Sequence, residues 1–316
     1  MLSFGVDLIT FFHPGFWDLP TEEAVVAHGK ADPRAFWDRM LDTLAQSGVR
    51  GIELTFSPFG ADDLIAAYGS HADAAAQLAA RGLAIAGGFF ADIAIEPGLG
   101  DPHVEARWLE RGEALAAHLA GWGAQSMVIG LPMRTSWDAQ PPVFADLALM
   151  QQAASLANRL GARTLHHGVR LALHTEAHSI FSQPRDIDLL LLLTDPVYVG
   201  FCPDSAHILL SGGDPVAIAA RHAERIAAAH WKDARGTMPL RTTIDHDIHR
   251  AHRPFFTALG TGKVDLPGWA AVLATRTDLE WAILEIDAVA DPLRAIRASL
   301  AYAGTLASPL ATGASV

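Results

Sequence analysis

Short apolar runs alternate with longer stretches of helical spacing along the whole chain. Phe4–Phe11, Gly51–Phe56, Leu83–Phe90, Ser126–Leu131, Arg170–Glu176, Val197–Asp204, Ile226–Asp233 and Trp281–Asp287 each read as a strand buried on both faces. Between them, helical spacing predicts helices over Pro33–Gly48, Ala61–Gly82, Val104–Gly121, Pro142–His166, Asp186–Leu193, Asp214–His222, Leu266–Ala274 and Pro292–Thr305. In Pro33–Gly48 the apolar stripe is Phe36, Trp37, Met40, Leu41 and Leu44, and Gly48 is the stop. Such βα repetition predicts a (β/α)8 barrel. A single domain is expected over residues 1–316, with a long strand 7–helix 7 loop at about 234–265. An open doubly wound sheet would advertise a glycine-rich phosphate loop after strand 1, and Phe11–Trp17 has none.

Four of the strands end in ionisable residues. Side chains alternate along a strand, so Ala172, His174 and Glu176 share one face of strand 5, with His178 just beyond. Gly200, Cys202 and Asp204 share a face of strand 6, His230 and Lys232 one of strand 7, and Ile283 and Glu285 one of strand 8. Active sites of such barrels lie at the C-terminal ends of the strands, so Glu176, Asp204, His230 and Glu285 are expected to converge there. Three carboxylates at one point repel unless a cation neutralises them. Three oxygen donors and one imidazole suit Mn2+, Mg2+ or Co2+ better than a thiolate-type zinc site. Taken singly, each has a plainer reading: Asp204 as a cap of the segment after it, His230 as a hydrogen-bonded core histidine, Glu53 as a mid-strand polar contact, His174 as a partner behind the ligands.

Composition narrows the function. The chain has 316 residues, half of them hydrophobic, and a formal net charge of −12. That charge argues against a general polyanion binder such as a nucleic-acid protein. The lone Cys202 rules out an internal disulfide and fits a reducing, cytoplasmic setting. The apolar start lacks a cationic lead and is broken at His13-Pro14, so it reads as a core strand instead of a signal peptide. No apolar run reaches membrane-helix length.

Gly51-Ile-Glu-Leu, Glu176-Ala-His178, Asp204-Ser-Ala-His207, His230-Trp-Lys-Asp233, Gly260-Thr-Gly-Lys-Val-Asp265 and Glu285 at the end of strand 8, in that order, resemble the xylose isomerase-like barrel superfamily. The resemblance is to the branch of sugar phosphate isomerases/epimerases and inosose dehydratases. It implies Glu176, Asp204, His230 and Glu285 as metal ligands, and His207 and Arg235 as binders of substrate oxygens. Glu53, His178 and Lys232 are further candidates for substrate contact. Mn2+ is the expected cofactor, with Mg2+, Co2+ or Zn2+ as alternatives. The implied activity is proton abstraction next to the carbonyl of a keto sugar or polyol through a metal-stabilised enediolate, with Glu176 and Glu285 as the catalytic pair on opposite faces. Isomerisation or epimerisation is the first expectation, and inosose-type dehydration at the same site the alternative. The expected partner is a small carbohydrate, on a protein that can pair as a homodimer or homotetramer.

The chain departs from the family pattern in two places. Ketose 3-epimerases carry a further substrate-binding Glu shortly after the strand-5 ligand, and Ser179–Arg185 holds none. The segment after strand 7 is rich in Arg241, Asp245, His246, Asp247, His249, Arg250, His252 and Arg253, which reads either as a solvated loop or as a lid over a polar or phosphorylated substrate. Strand 3 ends Gly-Phe-Phe-Ala and strand 4 Gly-Leu-Pro-Met, without the histidines a three-metal abasic-site endonuclease of this fold requires. A non-catalytic sugar-binding barrel is the third reading. The aromatics Phe12–Trp17 and Phe89–Phe90 either wall a sugar site or pack the core.

Overall fold

A computed structural model describes residues 2–134, 145–239 and 241–307. Eight parallel strands form a nearly closed barrel. They are β1 (Ser3–Asp7), β2 (Gly51–Leu54), β3 (Ala84–Phe90), β4 (Ser126–Ile129), β5 (Arg170–His174), β6 (Val199–Cys202), β7 (His230–Trp231) and β8 (Trp281–Leu284). β1 pairs with both β2 and β8, and the ladder runs unbroken from β2 to β6. Closure falls between β6 and β7, where two isolated bridges, Phe201 to Ile226 and Asp204 to His230, replace a continuous ladder. The expected strand Ile226–Asp233 is therefore short. Ile226–Ala229 runs irregularly toward the bond from His230 N to Pro203 O (3.0 Å). Val128, Ala172, Cys202 and Ala228, contributed by β4, β5, β6 and the stretch before β7, form a small buried cluster of their own. At Gly51, on β2, a Cβ would lie 2.6 Å from the Trp281 ring and 3.0 Å from the Gly5 Cα of β1, so that strand position requires glycine.

The larger core lies between the barrel and its helices, with Trp37, Trp108, Trp269, Phe36 and Phe59 fully buried. Several boundaries differ from the sequence expectation, each for a local reason. Strand 1 stops at Asp7, because its carboxylate accepts Ile9 N–H (2.7 Å) and starts a 3-10 turn over Leu8–Phe11. The expected helix Ala61–Gly82 is two helices, Ala61–Tyr68 and His71–Ala80. Gly69 (φ 89°) ends the first and the Ser70 hydroxyl caps the second. A further helix, Glu22–Ala31, capped by Thr21, fills a stretch to which the sequence pattern assigns no element. The helix expected from Pro142 spans Leu147–His166, with Asp146 as its cap. Its expected first residues, 142–144, and the tail beyond 307 lie outside the described residues. Among the described residues no helix is long and apolar enough to cross a membrane.

After β7 the chain forms an antiparallel ribbon, Asp233–Ala234 against Phe256–Thr257, instead of plain loop. Between these strands the described residues include a short helix, Ile248–His252, and a 3-10 turn, Arg253–Phe255. The motif Gly260-Thr-Gly-Lys-Val has a structural explanation. The buried Asp233 carboxylate accepts the N–H groups of Gly260 (3.0 Å), Gly262 (2.8 Å) and Val264 (3.2 Å). A Cβ on Gly262 would come within 2.2 Å of that carboxylate.

Candidate metal and substrate site

The strand ends bring Asp204, His230 and Glu285 together. A cavity of about 990 Å³ opens at this end of the barrel, lined among others by Asp7, His174, Glu176, His207, Lys232 and Glu285. His174, Asp204, His230 and Glu285 each offer a ligand atom within 4.8 Å of the others. Glu176 stands beside this set in a second group with His207 and His252. It lies two residues past the end of β5, whereas His174 is still on the ladder opposite Cys202.

Backbone geometry fixes each group. The Asp204 N–H donates to Thr175 Oγ1 (2.8 Å), and one carboxylate oxygen, Oδ1, caps the helix Ser205–Leu210 through His207 N–H (2.7 Å). The cap reading and the ligand reading of Asp204 thus use different oxygens, because Oδ2 has no hydrogen bond at all. Ser205 Oγ donates to Lys232 O (2.6 Å) and accepts Lys232 N–H (3.1 Å), which pins β7 against this helix. His230 sits between two carboxylates, with Nδ1 2.6 Å from Glu285 Oε2 and Nε2 2.9 Å from Glu53 Oε2. The second contact is misaligned for a hydrogen bond, so both of its atoms are unpartnered. Glu53, mid-strand, is thereby a neighbour of the cluster.

The electrostatics call for a cation. Burial, then the carboxylates of Glu53 and Glu285, push Asp7 well up, and burial with Glu285 raises Asp204. Burial would raise Glu285 too, but Lys232 and His230 outweigh it and hold the carboxyl well below its usual range. Lys232 is 3% exposed and donates to Glu285 Oε1 (2.5 Å) and Asp287 Oδ1 (2.9 Å), with its ammonium 3.9 Å from the centre of the Phe256 ring. Burial opposes its charge, yet Asp287 and Glu285 raise it well above normal. One ammonium faces several acids. Glu53 Oε2, both ring nitrogens of His174, Asp204 Oδ2 and His230 Nε2 are buried without hydrogen-bond partners. Such groups are rare and call for a partner, and this donor set of nitrogens and hard oxygens fits a divalent cation. Cys202 lies beside the cluster, but burial pushes its thiol up to about 11, so it offers no thiolate.

Glu176 is held low as well. Burial works against its charge, but the rings of His207, His249 and His252 prevail, at 3.4, 3.7 and 3.5 Å from Oε1. His207 lines the cavity and accepts Ala177 N–H at Nδ1 (3.1 Å). Lys232 stands 3.3 Å from its Nε2. His178 is half-buried and contacts His252, and Arg235 is exposed outside the cavity lining, where its N–H pairs with Phe255 O (2.8 Å). Of the aromatics, Phe12, Phe89 and Phe90 line the cavity, while Trp17 stacks on Phe36 in the core at 3.9 Å. The histidine-rich segment does reach the site: His246, Asp247, His249, Arg250, His252 and Arg253 line it, and Arg253 is tied to Glu22 (2.5 Å). The sequence signal for His174 was its inward register with Glu176.

The chain belongs to the xylose isomerase-like TIM barrel family, whose model matches residues 41–304. It is 36% identical over 131 residues to the rhizopine catabolism protein MocC of Rhizobium meliloti, covering 40% of each chain. It is 33% identical over 171 residues to the inosose dehydratase of Lacticaseibacillus casei, covering 53% of this chain and 56% of that one. The matched part therefore spans about half the length of these curated relatives. Among solved structures, the IOLI protein with a bound zinc atom superposes with a TM-score of 0.70 at 12% identity, over 98% of this chain and 99% of that one, a likeness of fold.

Proposed function

We propose that the protein is a divalent-metal-dependent enzyme that removes water from a keto polyol of the inosose type. His174, Asp204, His230 and Glu285 would hold the cation, with Glu53 behind His230. When bound, the cation supplies a Lewis acid for the substrate carbonyl and the adjacent hydroxyl.

The observation that carries the reading is an asymmetry between the two expected catalytic carboxylates. Both oxygens of Glu285 are engaged, one by Lys232 and one by His230. Glu176 faces only histidine rings at 3.4–3.7 Å and is free to take a proton from the carbon next to the carbonyl. The acid on the other side is the Lys232 ammonium, which can protonate a departing hydroxyl while its carboxylate partners keep it charged. A base paired with an acid suits elimination, whereas epimerisation asks for a base on each face of one carbon. The identity to inosose dehydratases over half the chain supports the same choice. Epimerisation or isomerisation of a keto sugar is the second reading, favoured by the placement of Glu176 and Glu285 in one cavity.

Metal-replete protein incubated in D2O with keto inositols and ketohexoses separates the two. Dehydration gives a product lighter by one water with enone absorbance; epimerisation gives an isomer carrying one deuterium. Glu176→Gln is expected to abolish α-proton exchange. Full exchange in that variant would defeat the assignment of the base.

A further inference from the structure

The cavity is larger than the reaction needs. At roughly 30 Å³ for each non-hydrogen atom, the share a water takes in the liquid, a six-carbon keto polyol of about a dozen such atoms fills only about a third of the 990 Å³. The cavity extends past the ends of β2 and β3. There its wall consists of the first turn of the helix Ala61–Tyr68, the short helix Asp92–Ile95 and one face of the helix Pro102–Gly121. On that face Arg111, Ala114, Leu115 and His118 follow at helical spacing. Asp62 of the first helix meets His118 of the last at 3.5 Å, which bounds this side lobe.

Two features define what the lobe suits. Its wall is apolar and incompletely covered. Phe56, Phe89 and Leu115 are half-buried, and Ile95 is 64% exposed. Phe12 meets Phe56 edge to face at 5.5 Å and continues the wall toward the strand ends. Large apolar side chains left open inside a cavity favour an apolar ligand. The charge, in turn, disfavours an anion. Among the described lining residues each arginine and lysine already meets a carboxylate: Arg111 with Asp92 (2.8 Å) and Glu96 (3.0 Å), Arg250 with Asp247 (3.5 Å), Arg253 with Glu22, and Lys232 with Glu285 and Asp287. Asp7, Asp62, Asp63 and Glu176 add to the acids of the same wall. A cavity of that sign lowers the local concentration of phosphate or carboxylate groups.

We propose that the substrate is a keto polyol carrying an uncharged apolar substituent, as an ether or a glycoside, and not a phosphate ester. The polyol ring sits over the metal-ligand cluster and the substituent lies in the side lobe, against Phe56, Ile95 and Leu115. This rests on the functional reading above and gives it a substrate class.

The test is titration calorimetry of the metal-replete protein, run alongside kcat and KM, with an inosose, its O-benzyl ethers and its phosphate esters. Burial of the benzyl group is expected to lower Kd about tenfold or more for the ether that fits, and no phosphate ester should bind more tightly than the parent. Ala114→Trp fills the lobe and Ile95→Asp gives it a charge. Both positions are exposed, so both variants should melt with the wild type, and in both the preference for the ether should disappear. Ethers bound no more tightly than the parent, a preference that survives both substitutions, or a phosphate ester bound tightest would each overturn the proposal. The reaction fails separately from the lobe. Preferred binding of an ether without dehydration or proton exchange keeps the lobe and removes the reaction, turnover without any preference removes the lobe alone, and binding of none removes both.

Discussion

Chelation and metal re-addition test the ligand set most directly. Atoms of His174, Asp204 and His230 are buried without hydrogen-bond partners; on the proposed ligand set a cation would satisfy them, and the unfolded chain has no such site, so binding would become stability. At a free cation concentration about 100 times Kd the gain is about 2.7 kcal/mol. For 316 residues, an unfolding entropy of about 2.1 cal/mol/K per residue sums to roughly 0.66 kcal/mol/K, which makes the expected rise in Tm about 4 °C. Scanning calorimetry of the chelated protein, before and after adding Mn2+, Co2+, Mg2+ or Zn2+, measures it. His174→Ala should abolish the shift and Glu176→Gln should keep it, because Glu176 stands in the neighbouring group. Asp204→Asn should also lose the shift, yet melt higher than wild type without metal, since a neutral isostere relieves the acid crowding that raises Asp204 and leaves its helix cap in place. A shift lost in Glu176→Gln but intact in His174→Ala would refute the assignment, and no shift with any of the four ions would refute the site.

Other contacts give three further expected outcomes. Lys232→Met removes the buried ammonium that pairs with the partly buried carboxylates of Glu285 and Asp287 and should destabilise the chelated protein by up to about 3–5 kcal/mol in urea titrations, with a smaller loss once a divalent cation is present. Asp233→Ala leaves the N–H groups of Gly260, Gly262 and Val264 without their acceptor, so stability should drop by about 3 kcal/mol or more and limited proteolysis should cut faster between 241 and 265. His178 is held neutral, with its pKa pushed down to about 4 from 6.5. The unfolded chain binds that proton first, so this contribution is complete above pH 6.5, fades as pH falls toward 4, and should steepen the loss of denaturant midpoint over that window in wild type relative to His178→Gly.

The periodic apolar runs were enough to give a barrel, because a parallel strand buried on both faces leaves an unbroken hydrophobic signature and each βα unit repeats it. Alternation along those strands likewise placed Asp204, His230 and Glu285 at one rim, since the register of a strand decides which face a side chain takes. Local capping chemistry is written in the sequence: Gly69-Ser70 splits a helix, Thr21 starts one, and Asp7 ends β1. Only the tertiary structure shows which of His174 and Glu176, which share a face and differ by one step along the strand axis, stands with Asp204, His230 and Glu285. That choice depends on where β5 leaves the ladder, and so on its pairing with β6. The same holds for the histidines at 249 and 252. Nothing local to that segment says that Asp233, by gathering the backbone of Gly260–Val264, and the ribbon of Phe256–Thr257 fold it back over Glu176. A contact between residues 76 positions apart is set by the packing of the elements between them, which no short stretch of sequence carries.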